Sequence, residues 1–248
     1  MTIPCPLCGS RETEILEKLD VDCINRAYKK LAGLDGLLMS RLLAYCRCGR
    51  CGLLFFEPMQ TGDELLYERL QAFDWYYLAD KPEYGIARKY LPKNGKVLDV
   101  GAGTAAFSRQ FEPGLYTGLE FNDQAIEKAG REGINLLKQS IEEHARSGRK
   151  YDAVVSFQVL EHVAAPASFI RSSLECLHPG GLLVLAVPAQ DGFAGVALNN
   201  TLNMPPHHVT HWPESTLRNL APKFGVKVLA VEFEPIAGYH LPWARKTI

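Results

Sequence analysis

Lys96-Val97-Leu98-Asp99-Val100-Gly101-Ala102-Gly103-Thr104 is the stretch from which the fold of this chain follows. It reads as a short apolar strand that stops at a carboxylate and then turns through two glycines, with a helix expected over 104–111. Glycines at such a turn permit a sharp bend and let a ligand approach the peptide groups closely. The helix start offers unpaired N–H donors at the same place. Together these features predict a nucleotide-type cofactor site.

Gly101-x-Gly103-x-x-Ala106 satisfies the loose dinucleotide fingerprint, a weak match when it stands alone. Asp99 discriminates between cofactors. An acid two residues before the first glycine puts a negative charge beside the ligand, which repels a pyrophosphate and suits a cation such as the α-ammonium of S-adenosylmethionine. Glu120 ends the next expected strand, 115–119, and lies 19 residues past Gly101. That is near the offset of roughly 20 residues at which an acid meets ribose hydroxyls.

Val97 to Thr104 resembles the first motif of class I S-adenosylmethionine-dependent methyltransferases. Two later segments keep the order that the family requires. Tyr151 to Val163 (YDAVVSFQVLEHV) resembles its fourth-strand motif, and Leu177 to Leu185 (LHPGGLLVL) the turn into its fifth strand. The likeness covers about residues 80–235. It implies an α/β, Rossmann-like, doubly wound and mostly parallel sheet. By the same resemblance, Asp99 and the Gly101–Gly103 backbone would hold the methionine moiety, and Glu120 the ribose. Phe121, Ser140 and Ile141 would surround the adenine, while Phe157 and Gln158 would line the methyl-transfer face. Ala105 departs from the pattern, because the family commonly has a third glycine there.

Strands are expected at 96–100, 115–119, 134–138, 151–157, 182–187 and 226–232. Helices are expected at 104–111, 123–131, 141–147, 167–177 and 213–223. Alternation of this kind predicts a parallel sheet covered on both faces. A closing antiparallel strand would fall within 238–248, although Pro242 interrupts it.

The 248 residues suffice for one sizeable core and a small appendage. A net charge of −1 supplies no global basic field for nucleic acid or an anionic membrane. No apolar run approaches the roughly 20 residues of a membrane span. The first five residues lack the basic and apolar regions of a signal peptide, so the expectation is a cytoplasmic protein with reduced thiols.

Cys5-Pro6-Leu7-Cys8-Gly9 and Cys48-Gly49-Arg50-Cys51-Gly52 are two C-x-x-C-G turns, each able to present two thiolates to one ion. Four thiolates make a closed tetrahedral zinc site of the structural type. Cys46 is too far from Cys51 in sequence to form such a compact turn, and a reducing compartment argues against disulfides. The 39 residues between Cys8 and Cys48 exceed the usual ribbon spacing. The surplus is read as a helical insertion over 25–45, with Leu31, Leu34, Leu38 and Leu42 on one face. Cys23 and Cys176 are read as buried fillers.

The chain thus divides into a zinc-ribbon module, 1–58, a helical connector, 59–95, and a cofactor-binding domain, 96–248. The connector has helical periodicity over 63–70 and again over 84–91. Between these lies an aromatic group, Phe73, Trp75, Tyr76 and Tyr77, which either covers the acceptor or packs the ribbon against the core.

Acceptor chemistry is expected in Pro205-Pro206-His207-His208-Val209-Thr210-His211-Trp212, after the fifth strand of the cofactor domain. Histidine suits proton abstraction near neutral pH. His208 and His207 are the candidate catalytic bases, and His211 is read as capping the next helix. Three histidines in five residues also fit a metal, but the loop holds no carboxylate, and the nearest acids are Asp191 and Glu214. Glu161-His162 is read as supporting the loop.

Resemblance of the ribbon and histidine loop to bacterial enzymes of sugar, surface-polysaccharide and secondary-metabolite pathways favours a small-molecule methyl acceptor. Two other readings stand beside it. One is an RNA methyltransferase gripping its substrate through the ribbon. Against it, residues 1–58 hold eight Lys/Arg and seven Asp/Glu, too balanced for a basic face. The other is a non-catalytic module that recruits a partner. The oligomeric state is left open.

Overall fold

The computed structural model describes residues 3–73, 76, 81–192, 195 and 200–233. The closing strand expected within 238–248 lies outside the described residues, as do Trp75 and Tyr77 of the aromatic group.

Val97–Val100 (β4), Tyr116–Leu119 (β5), Leu136–Leu137 (β6), Tyr151–Phe157 (β7) and Leu177–Ala186 (β8) form a five-stranded sheet in the order β6-β5-β4-β7-β8. Every pairing in it is parallel. Leu98, Val100 and Val154 pack on one face, and Val97, Ala153, Val155 and Phe157 on the other. A strand buried on both faces loses the polar alternation of an exposed one, which is why β4 reads as a continuous apolar run broken only by Asp99. Chain order reverses on either side of β4, where ligands of such sheets bind.

The covering helices are Asp123–Arg131 (α4), Ile141–Ala145 (α5) and Pro166–Glu175 (α6). Glu214–Arg218 (α7) and Leu220–Phe224 (α8) follow in place of the single helix expected over 213–223. Pro222 explains the split, because it cannot donate to a continuous helical ladder. The helix expected over 104–111 is a 3-10 helix, Ala106–Gln110. Pro113 disfavours helical backbone at Glu112, so this segment has no room to lengthen. Residues 226–233 carry no ladder among the described residues, against the strand expected at 226–232. β-forming side chains make a strand only where a partner edge meets them.

Residues before the parallel sheet form a second one. Thr13–Asp20 (β1), Leu42–Cys48 (β2) and Leu54–Glu57 (β3) pair antiparallel, and Thr210–His211 (β9) adds to β3 from the far end of the chain. Val21–Ala32 (α1) connects β1 to β2. The insertion is therefore part strand and part helix, not a helix through 25–45. Gly33 ends α1 in a left-handed conformation (φ 71°), a position where a Cβ is costly. Leu42 consequently opens β2 and is exposed instead of continuing a leucine stripe. Cys176 is fully buried as expected, whereas Cys23 is exposed on α1, where Arg26 donates to its sulfur.

Glu64–Gln71 (α2) and Pro82–Arg88 (α3) form the connector. The ribbon does not hang free. Cys5, Leu7, Cys48, Leu53 and Phe55 share one buried cluster with Trp212, Leu220 and Val154. No described helix is long and apolar enough to cross a membrane.

Candidate active site

A cleft opens at the carboxyl ends of the parallel strands and continues along β8 to residues 225–233. Asp99, Gly101, Gly103, Glu120, Phe121, Phe157 and Gln158 line it together with Glu161, His162, His207 and His208. Ser140 and Ile141 are not part of that lining. The Ser140 hydroxyl caps α5 by accepting from Glu143 N–H (3.1 Å), and Ile141 is buried.

Asp99, next to last in β4, lies on the same face as Tyr116. The Tyr116 hydroxyl donates to Asp99 Oδ2 at 2.7 Å, and Oδ1 has no hydrogen-bond partner. Burial pushes this carboxyl up to about 7, with Tyr116 and the more distant Lys81 opposing the rise. Past Asp99 the chain turns at Gly101 (φ 77°), whose N–H donates to Leu119 O at 2.9 Å. A Cβ on Gly101 would come within 2.4 Å of Val159 Cγ2, so the turn is closed to any other residue. Gly103 N–H donates to Glu120 Oε2 (2.7 Å), and Phe121 and Asn122 N–H donate to Oε1 (2.8 and 2.9 Å). Both acids therefore face the cleft from the tips of adjacent strands.

Among the described residues, Ala105 and Gln158 are the non-glycine residues with positive φ, at 56° and 58°. The Ala105 methyl is buried at the start of the 3-10 helix, so the missing third glycine shows up as backbone strain. Gln158 lies on the cleft wall, where such strain recurs in binding sites.

The other end of the cleft is imidazole-rich. His162, His207 and His208 rings stand 4.4–4.9 Å apart, centre to centre. Tyr76 Oη lies 3.1 Å from His207 Nε2, and Leu202 O lies 2.9 Å from His207 Nδ1. His208 Nδ1 contacts Asn203 Oδ1 at 3.0 Å, while His162 Nδ1 contacts the His207 carbonyl at 2.6 Å. Burial keeps the rings neutral, pulling His162 down to about 4, His207 to about 3 and His208 well below its ordinary value. Burial likewise raises Glu161 to about 8. His162 and His208 Nε2 lie 3.7 and 3.9 Å from Glu161 Oε1, but with neither partner charged at neutral pH these are not ion pairs.

Main-chain bonds hold this loop in place from both sides. Val209 N–H donates to Glu161 O (2.9 Å), and Phe56 N–H from β3 donates to Val209 O (3.1 Å). The Tyr28 hydroxyl of α1 reaches Thr201 O and Met204 O at 3.0 and 2.8 Å. His211 does not cap the next helix. It lies in β9, accepting from Tyr45 Oη (2.7 Å) and donating to Asn203 O (2.9 Å). Asp191 supplies the cap instead, its Oδ2 accepting from Glu214 N–H. Sequence reasoning did not place Glu161 in the cleft, nor Tyr28 behind the loop. The signal for Glu161 was an acid between two apolar runs; nothing marked Tyr28.

Cys5 and Cys51 sulfurs are 3.6 Å apart, and those of Cys8 and Cys48 3.5 Å, with all four within 4.8 Å of one another. Four sulfurs about 2.3 Å from a zinc ion would stand roughly 3.8 Å apart, so the set fits the ion with little movement. Cys46 points elsewhere, toward Ala44 O.

A family described as a methyltransferase domain matches residues 69–231. A ubiquinone biosynthesis O-methyltransferase of Erwinia tasmaniensis is 35% identical over 95 residues, which cover 35% of this chain and 39% of that protein. Its namesake from Nitrosospira multiformis is 29% identical over 160 residues, 56% of this chain and 67% of that one. The chain thus spans about two fifths of the length of the Erwinia relative. Among solved structures, a methyltransferase of Thermotoga maritima superposes with TM-score 0.50 at 19% identity, covering 59% of this chain and 70% of that one. One from Archaeoglobus fulgidus gives 0.50 at 18%, covering 62% and 72%. Glycine turn, strand order and family match agree: the chain belongs to the class I S-adenosylmethionine-dependent methyltransferases.

Proposed function

We propose that this protein transfers the methyl group of S-adenosylmethionine to a hydroxyl of a small molecule. The observation that carries the reading is the pair of acids at adjacent strand tips. Asp99, with one oxygen unpaired, suits the cofactor's ammonium, and Glu120 suits its ribose hydroxyls. Gly101 and Gly103 allow the methionine moiety to lie against the backbone. Phe121, exposed at the cleft wall, offers a face to the adenine, with Ser140 and Ile141 beyond it; Phe157 and Gln158 border the sulfonium.

The cofactor supplies an activated methyl group. The protein's part is to align the acceptor and exclude water. His208, with His207 stacked against it, activates the acceptor. Its neutral ring draws off the hydroxyl proton while oxygen bonds to the methyl carbon and the C–S bond breaks, sulfur keeping the electron pair. Cys5, Cys8, Cys48 and Cys51 hold a structural zinc, which suits a cytoplasmic protein with reduced thiols. In functional terms 1–58 is the metal module, 59–95 the cover over the cleft and 96–248 the cofactor domain. A near-balanced charge on the metal module, together with the relatives' printed small-molecule activity, favours a small acceptor over RNA.

Calorimetry with S-adenosylhomocysteine tests the reading. One site per chain is expected, with micromolar-range affinity. Absence of binding overturns it, and RNA binding with a steep salt dependence would replace the acceptor class.

A further inference from the structure

Asn203 stands between the ribbon sheet and the candidate base. It closes the short 3-10 helix Thr201–Asn203, just ahead of the histidine loop. Its side-chain oxygen Oδ1 lies 3.0 Å from His208 Nδ1, and its main-chain oxygen lies 2.9 Å from His211 Nε2. Tyr45 Oη of β2 reaches the other nitrogen of His211, Nδ1, at 2.7 Å. A continuous line of hydrogen bonds thus runs from Tyr45 through His211 and Asn203 to His208.

What each ring nitrogen meets decides where its proton sits. A carbonyl oxygen only accepts, so Asn203 O requires the His211 proton on Nε2, and the Tyr45 hydroxyl then donates to His211 Nδ1. The side-chain amide oxygen also only accepts, so Asn203 Oδ1 requires the His208 proton on Nδ1. His208 Nε2 keeps its lone pair. Among the described residues no hydrogen bond reaches that atom, since Glu161 Oε1 at 3.9 Å is too distant for one. His207 differs. Its Nδ1 donates to Leu202 O and its Nε2 accepts from the Tyr76 hydroxyl, so both of its nitrogens are engaged.

We propose that Asn203 is the positioning residue of the acceptor end, its side-chain oxygen fixing the His208 proton on Nδ1 so that Nε2 meets the acceptor with a lone pair. This inference rests on the methyl-transfer reading above and supplies what that reading needs, a neutral ring whose accepting nitrogen serves the cleft it lines. An imidazole left to water favours the opposite form, with the proton on Nε2, which would offer the acceptor a donor and no base. Bases of this kind are oriented by a third group on their far nitrogen. Here that group is an amide, which sets the tautomer without adding a charge beside His162, His207 and Glu161. As Nε2 takes the acceptor's hydroxyl proton the ring becomes an imidazolium. Its Nδ1–H bond to Asn203 is then charge-assisted and strengthens as the methyl group moves.

The full chain, carrying ¹⁵N in its histidine rings, is measured by long-range ¹H–¹⁵N correlation at neutral pH. Loss of signals in His208→Ala identifies those of His208. A protonated Nδ1 and a lone-pair Nε2 are expected in the wild type. In Asn203→Ala the form protonated on Nε2 should become the major one. Asn203→Asp keeps an accepting oxygen in place and should retain the wild-type pattern. Tyr28→Phe loosens the same loop outside this line of hydrogen bonds and should leave the pattern unchanged. Thermal melting verifies that each variant is folded. A wild-type proton on Nε2, an unchanged pattern in Asn203→Ala or an equal change in Tyr28→Phe overturns the proposal. Neither cofactor nor acceptor is present, so failure to bind S-adenosylhomocysteine would defeat the methyl-transfer reading and leave this result standing. Conversely, the reversed tautomer beside normal S-adenosylhomocysteine binding defeats the role of Asn203 alone.

Discussion

The two ends of the cleft are built by different means. The cofactor end comes from one run of chain, in which Gly103 and Glu120, and likewise Asp99 and Tyr116, are 17 residues apart. The acceptor end collects Glu161 and His162 after β7, a histidine loop 45 residues later, and Tyr28 and β3 from the ribbon. Local construction makes the first end self-sufficient. The second depends on the ribbon sheet, because β9 is both its last strand and the continuation of the histidine loop.

Removing the zinc proposed for the ribbon breaks that comparison most sharply. Structural zinc is worth about 10–16 kcal/mol in small modules. Replacing Cys5 and Cys51 together by serine should abolish zinc binding and turnover while S-adenosylhomocysteine affinity falls less than tenfold. Metal analysis and calorimetry measure the split, and retained turnover would show that the acceptor end stands without the ribbon.

His208→Ala sharpens the contrast within the intact fold. Loss of acceptor activation should lower kcat by about 10²–10⁴ and leave S-adenosylhomocysteine affinity within twofold. Equal losses in both would place His208 at the cofactor end.

Asp99 gives the cofactor end a pH signature. Its carboxyl rises from the ordinary 3.8 to about 7 on burial. Because the folded protein holds this proton more tightly, the group's contribution to stability is present below about pH 4 and fades as pH rises through about 7. A bound ammonium favours the charged form, so cofactor binding at pH 6 should expel a proton. Calorimetry in buffers of different ionisation enthalpy reads that proton. Asp99→Asn should abolish the buffer dependence and weaken binding about tenfold, or 1.4 kcal/mol.

Ala105→Gly should change least. Relief of left-handed backbone, about 1–2 kcal/mol, opposes loss of a buried methyl worth about 0.8 kcal/mol. The expected net gain is about 1 kcal/mol or less in denaturant unfolding, with cofactor affinity unchanged.

Much of the parallel sheet was legible because its strands carry their own signal. β4 is apolar but for Asp99 and β7 but for Asp152 and Ser156, and the expected 123–131 helix is α4 itself. Errors arose where one residue overrode a pattern. Gly33 stopped a leucine stripe from becoming one helix, and Pro222 cut another in two. At the site, Glu161 comes within 3.9 Å of His208, far away in sequence and contiguous only in space.

Sequence alone determined the glycine turn, the two acids at strand tips and the two cysteine turns, because each depends on neighbours in the chain and on backbone geometry. Only the tertiary structure decided that the ribbon sheet takes a strand from the histidine loop and that Glu161 lies beside the imidazoles of His162 and His208. Those facts follow from long-range packing and burial. Neither short-range periodicity nor spacing encodes them, since both record what adjoins along the chain and not what is brought together by folding.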